Sequence, residues 1–234
     1  NGYAIGCTQL RNFKIKDNII EPVWGRGILL DNVGGDGSLP TTNEGEIVGN
    51  MISVKERRNA EFGNDMLQSP GIRIRDYRKG GNIVHIHDNF INAVCDETTV
   101  NEANGIVVTA RHRDSDVLIE NNNIWAVSSD PQKNAHAIIF EGCNELNHDV
   151  YRGTVPVILR GNTFTSNTVC VQFGGLDGSN TWNVDLFDNT YKAPPDLLGH
   201  EFHTRSIGHA GQVTGGFHAG NVHTDVEGDV TFTD

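Results

Sequence analysis

The chain has 234 residues, 37% hydrophobic and 21% charged, with 27 Gly and 7 Pro; that balance excludes disorder, and the glycines keep no collagen period. Acidic side chains outnumber basic ones 30 to 18, a net charge of −12, which excludes general electrostatic attachment to nucleic acid or to an anionic membrane. No apolar run approaches the roughly 18 residues of a membrane-spanning helix, so no membrane insertion is expected.

The chain opens on Gly2-Tyr3-Ala4-Ile5-Gly6, with no initiator Met and no basic-then-apolar leader. The expectation is a removed signal peptide or a piece of a longer chain. From residue 13 onward one pattern recurs: apolar, any, apolar, two residues, Asn, any, apolar. It reads Phe13-Ile15-Asn18-Ile20 and then, shortened, Ile47-Asn50-Ile52. It returns as Val84-Ile86-Asn89-Ile91, Val117-Ile119-Asn122-Ile124, Val157-Leu159-Asn162-Phe164 and Val184-Leu186-Asn189-Tyr191. The six copies lie 32, 39, 33, 40 and 27 residues apart. The residue before each Asn is Asp17, Gly49, Asp88, Asn121, Gly161 or Asp188, all turn formers.

Between the copies runs a second column, a small residue followed by alternating apolar positions. It reads Gly27-Ile28-Leu29-Leu30, Gly71-Ile72-Arg73-Ile74, Gly105-Ile106-Val107-Val108, Ala137-Ile138-Ile139-Phe140 and Cys170-Val171-Gln172-Phe173. Gly2-Tyr3-Ala4-Ile5 fits it as well. Each unit is therefore expected to hold two short strands of period 2, and no stretch carries a helical apolar stripe of useful length. The longer segments between strands are 31–45, 55–70, 92–104, 126–136 and 142–156.

A strand of four or five residues with one apolar face is not stable alone. Stacking the same strand of the next unit about 4.8 Å away completes its hydrogen bonds and extends one core. The repeated Asn suits an inward bend, because it tolerates the left-handed backbone and its amide can bond the next Asn. A column of such amides is a hydrogen-bonded ladder. Six units make a rod roughly 30 Å tall. An antiparallel sandwich would show more tight Asn-Gly or Asp-Gly hairpins than Asn104-Gly105 and Asp177-Gly178 supply.

With these Asn-turn columns at 18, 50, 89, 122, 162 and 189, the chain resembles right-handed parallel β-helix proteins of the pectate-lyase-like type. The resemblance covers roughly residues 2–192. It implies an all-β solenoid of about six coils over 1–192, followed by an irregular cap or extension at 193–234 in which Asn221 marks a last coil. It also implies a secreted or cell-surface setting. Such proteins include polysaccharide lyases, hydrolases, epimerases, tailspikes and adhesins, so the fold alone does not choose an activity. Four cysteines, Cys7, Cys95, Cys143 and Cys170, allow three pairings and select none; buried free thiols are an equal expectation.

Outward residues can be read in rows. The position two before each Asn gives Lys16, Val48, His87, Glu120, Arg160 and Phe187. His87, Glu120 and Arg160 form a polar track able to hold a sugar chain, or a cross-strand charge ladder with no ligand. Half of the 18 basic residues fall within 55–113, against 8 of the 30 acidic ones. On the second-strand face of that island stand Arg73, Arg75, Arg111, His112 and Arg113. A polyuronate lyase needs cations to neutralise the substrate carboxylate and a base for the α-proton. Arg75, Arg111 and His112 are the catalytic candidates, with Arg73 binding substrate; the Arg-His pair resembles the basic residues of β-helix lyases, without the surrounding motif. The competing reading is edge charges paired with carboxylates.

Glycoside hydrolysis would need two carboxylates about 5 to 9.5 Å apart. Asp31 and Glu141 fall in equivalent positions but three coils, near 14 Å, apart. Trp125, next to Ile124, is expected to point outward and to stack on sugar; Trp24, Tyr77 and Trp182 are the other aromatics of that kind. His200, His203, His209, His218 and His223 match no zinc spacing, so no metal site is assigned. The acidic loop Asp31-Asn32-Val33-Gly34-Gly35-Asp36-Gly37 carries oxygen ligands for Ca²⁺ without an EF-hand spacing.

Two functions follow as expectations. One is a β-helix that binds or cleaves a polysaccharide, by β-elimination if catalytic. The other is a structural segment of a fibre, tailspike or surface assembly, stacking end to end with itself or with a longer parent chain.

Overall fold

The structure, a computed structural model, describes residues 2–8, 10, 12–31, 43–56, 70–74, 82–95, 102–109, 116–128, 134–141, 154–174, 181–195, 205–209, 213–224 and 226. Their strands form three parallel stacks of seven. The first stack runs β2 (Phe13–Lys16), β4 (Asn43–Val48), β7 (Asn82–His87), β10 (Asp116–Glu120), β13 (Thr154–Arg160), β16 (Thr181–Phe187) and β19 (Val213–Ala219). The second runs from the start of β3 (Ile19–Asp31) through β5 (Met51–Glu56), β8 (Phe90–Cys95), β11 (Asn123–Ser128), β14 (Thr163–Ser166) and β17 (Thr190–Lys192) to β20 (Val222–Thr224). The third contains β1 (Gly2–Thr8), the end of β3, β6 (Ile72–Ile74), β9 (Glu102–Thr109), β12 (Asn134–Glu141), β15 (Val169–Phe173) and β18 (Arg205–His209). The architecture is a parallel β-helix of about seven coils.

Each coil thus has three strands where the sequence pattern suggests two. The break falls at the Asn, which separates first-stack and second-stack strands that the apolar spacing runs together. The left-handed residue is not the Asn but the one before it: Asp17, Gly49, Asp88, Asn121, Gly161, Asp188 and Gly220 all have φ between 52° and 71°. A single left-handed residue turns the chain sharply, and Asp, Asn and Gly tolerate it best. Their order also makes sense across coils. A Cβ on Gly161 would lie 2.4 Å from Asn121 Oδ1, and one on Gly49 would lie 2.5 Å from Asp17 Oδ1. The side chain of one corner occupies the space that the next corner's glycine leaves open.

The Asn column is the ladder expected. Each Asn donates from backbone N and Nδ2 to Oδ1 of the Asn one coil on, from Asn18 through Asn50, Asn89, Asn122, Asn162 and Asn189 to Asn221, at 2.8–3.2 Å. The interior rungs are buried, and their polar groups are satisfied by one another and by backbone carbonyls such as Ile47 O and Ile86 O, as burial requires. Apolar side chains alternate inward on all three stacks and form one continuous core, with Phe140, Phe173 and Trp182 packed ring on ring. The small-residue column has a steric cause: a Cβ on Gly105 would lie 2.3 Å from Ile124 Cγ2 and 2.5 Å from Ala137 O.

Three details differ from the pattern. In β1 it is Ile5, not Tyr3, that sits beside Ile28, and Gly2 pairs with Gly25 where the column would set it beside Gly27. Strands run further than the connections suggest, taking in 92–95, 102–104, 126–128 and 134–136. Past residue 192 the stacks continue through β18, β19 and β20, with Asn221 as their last rung.

Candidate polar track on the first stack

Registers on the first stack place Lys16, Val48, His87, Glu120, Arg160 and Phe187 side by side on successive coils. The second outward row, two residues earlier, is Lys14, Glu46, His85, Leu118, Ile158 and Asp185. Inward neighbours on the same strands, such as Ile47, Val84, Ile86, Val117 and Ile119, are fully buried. Burial of those residues therefore fixes both rows on the outer face.

The two rows join into one track. Lys14 Nζ is 2.6 Å from Glu46 Oε2, and Glu46 Oε1 is 2.9 Å from His87 Nε2. His87 Nδ1 lies 2.8 Å from Asp88 Oδ2. The rings of His85 and His87 stack with centroids 4.0 Å apart. His85 Nε2 stands 2.8 Å from Glu120 Oε2, a close contact without hydrogen-bond alignment. Arg160 Nη1 reaches Glu120 Oε1 at 3.3 Å, while its guanidinium lies over the Phe187 ring, 5.5 Å from the centroid. Polar contacts thus run from β2 to β16, five interstrand spacings or about 24 Å.

The protonation states follow from these contacts. Partial burial, the largest influence on His87, pushes its pKa down, but hydrogen bonds to Asp88 and Glu46 outweigh it and leave the imidazole above its ordinary value. With a carboxylate on each ring nitrogen, His87 is best served as an imidazolium, which has two donors. Lys14 first and His87 second hold the Glu46 carboxyl below the ordinary carboxylate range.

The residues singled out from sequence do not share one surface. His87, Glu120 and Arg160 stand together on the first stack. Trp125 is half-buried on the second stack, in a row with Asn92 and Thr165. The Asn122 corner lies between it and Glu120, so a ligand on the track does not meet Trp125 on the same flat face. Arg73 is on the third stack, where its Nη2 reaches Glu141 Oε2 at 3.0 Å across the intervening coil. Arg75, Arg111, Arg113 and His112 lie outside the described residues, as do Tyr77 and the acidic segment 32–37. The side chains of Trp24 and Asp31 are likewise outside them.

Lys14, Glu46 and His85 complete the track although one outward row alone does not reveal them; the second row two residues earlier carries the signal, and Asp88 joins from the corner next to His87. Trp182 is in the core, with Nε1 donating to Gly174 O at 3.0 Å. Of the C-terminal histidines, His223 stacks on Tyr191 at 4.9 Å and His218 is exposed. Among the described residues no group of three His, Cys, Asp or Glu side chains is arranged to hold a metal ion. Cys7 and Cys170 are free thiols, and burial pushes the Cys170 thiol up to about 12.

In comparisons with known proteins, the chain matches no protein-family model, no curated protein and no solved structure.

Proposed function

We propose that this chain is the β-helix domain of a secreted or cell-surface protein and that it binds a polysaccharide along the outer face of its first stack. The observation that carries this reading is the unbroken polar track from Lys14 to Arg160, ending on Phe187. A linear sugar chain offers hydroxyls, and in polyuronates carboxylates, at regular intervals. A straight row of imidazole, carboxylate and guanidinium groups at strand spacing presents complementary donors and acceptors, and an aromatic ring gives one apolar sugar face a seat. The Asn-turn columns support kinship with pectate-lyase-like proteins, which handle such glycans.

The test is binding to a glycan panel headed by polyuronates, comparing the wild type with Arg160→Ala and Glu120→Ala. Loss of retention in both variants supports the track. Retention unchanged in both rejects it. Catalysis by β-elimination is a separate claim resting on Arg75, Arg111 and His112. It is supported only if unsaturated product accumulates and Arg75→Ala or Arg111→Ala stops it.

A second reading, a structural solenoid without activity, is favoured by one observation: the charges of the track already neutralise one another. Absence of binding across the whole panel would select it.

A further inference from the structure

We infer that copies of this chain stack head to tail, the last coil of one copy docking on the first coil of the next and continuing all three strand stacks. This does not depend on the glycan reading.

The ladder has a direction. Every Asn gives its donors to the coil after it and receives at Oδ1 from the coil before it. Asn18, on the first coil, therefore presents an Oδ1 that accepts from no described residue. At the other end Asn221 donates from Nδ2 to Leu186 O, but its backbone N–H has no acceptor among the described residues. One end offers the acceptor and the other the donor, at the same place in the coil.

The rest of each end agrees. Among the described residues, β1, β2 and the start of β3 have a strand partner on one side only, and so do β18, β19 and β20. Unpaired parallel edges are templates for a further strand of the same sense. The core thins at both ends: Ile15 and Ile20 are 8% and 6% exposed, where Ile47 and Ile52 in the next coil are fully buried. Ile207 in the last coil is 5% exposed, against 0% for Val171 one coil inward. Half-buried apolar residues sit at these ends, Ile5, Leu10 and Phe13 at one and Val226 at the other. A second copy placed one strand spacing beyond Asn221 covers both apolar ends and keeps strand direction. Joining like ends would set acceptor against acceptor and reverse the strands. The contact is thus between unlike surfaces, and contacts of that kind propagate into open filaments unless they close into a ring.

Cysteine cross-linking tests it. Within one chain residues 18 and 221 are six spacings, about 29 Å, apart. Across a head-to-tail junction their Cα atoms would be about one spacing apart, inside the range of about 4.4 to 6.8 Å for a disulfide. In a background with Cys7 and Cys143 changed to Ser, the Asn18→Cys/Asn221→Cys protein should form a reducible ladder of multimers on mild oxidation. Asn18→Cys and Asn221→Cys alone should stay monomeric. A double variant that stays monomeric, or single variants that form disulfide dimers, overturns the proposal. The unaltered chain supplies an independent readout by light scattering. Its mass should climb with concentration in whole multiples, and a constant monomer mass up to high concentration rejects the stacking.

Discussion

Asn122 sits at the middle of the ladder, and its replacement by Ala measures what the column contributes. The side chain accepts from Asn89 N at 3.0 Å and Asn89 Nδ2 at 2.9 Å, and donates to Ile86 O at 2.8 Å, Glu120 O at 3.0 Å and Asn162 Oδ1 at 3.0 Å. Asn89 Nδ2 keeps Ile47 O and His87 O as acceptors, but Asn89 N loses its acceptor in a place where water has no access. An orphaned buried donor costs about 1–3 kcal/mol, and the three lost donations about 1 kcal/mol each, for a total of about 4–6 kcal/mol. In a chain of this length that corresponds to a fall in melting temperature of roughly 8 to 24 °C. Asn18→Ala is the internal control. Asn18 donates to Asn50 and Lys16 O but receives from no described residue, and it is only half-buried. Its loss should cost about 1 kcal/mol. Equilibrium urea unfolding of the two variants gives the comparison. If Asn122→Ala costs no more than Asn18→Ala, the ladder is a consequence of the stacking and not a support of it.

Gly161→Ala should destabilise by about 2 kcal/mol or more, because φ is +62° and the new Cβ would meet Asn121 Oδ1 at 2.4 Å; Asp188→Gly, at φ +52°, should be nearly neutral, and equal thermal shifts for the two would contradict the steric account. His87 is protonated more readily folded than unfolded, so its contribution is fully present below the unfolded value near 6.5 and fades as pH rises through the higher folded value. The stability gap between wild type and His87→Gln should therefore narrow from pH 5.5 to 8.5; a gap that widens refutes the assignment. Cys170, buried and raised to about 12, should resist a thiol reagent at pH 8 in the native protein and react at once after unfolding, where rapid native labelling would show that its coil opens.

The architecture was legible because stacking forces every coil to repeat the same inward choices. Asn89, Asn122 and Asn162 share one corner, one set of dihedral angles and one hydrogen-bonding task, so the column survives different connection lengths. Three strands looked like two because Ile91 and Ile124 follow their Asn so closely that a one-residue corner leaves no gap in the apolar spacing. Which residue bends is not legible in the sequence: Asn and its predecessor are both tolerant of positive φ, and only geometry tells which one turns the chain. The polar track was half visible. Rows follow from register, but whether His87 turns toward Glu46 or Glu120 depends on rotamers and on the neighbouring row. Trp125 and Arg73 could be recognised as outward residues, yet the face Trp125 joins is decided by the corner between Glu120 and Asn123, and that of Arg73 by the pairing of β6 with β9 in the third stack.

The succession of residues at that corner bears on how such a rod can be lengthened or shortened. Asp17 overlies Gly49, and Asn121 overlies Gly161. Excising the unit that contributes Gly49 would set Asp17 directly against Asp88, two like charges at adjacent corners, where the chain itself sets the Asp88 carboxylate beside the neutral Asn121. Excising the unit that contributes Asn121 would instead hand Asp88 the vacancy above Gly161, a combination the chain already uses elsewhere. Modules in this solenoid are therefore interchangeable in axial dimension but not in succession, and a duplication is tolerated according to which neighbour it acquires.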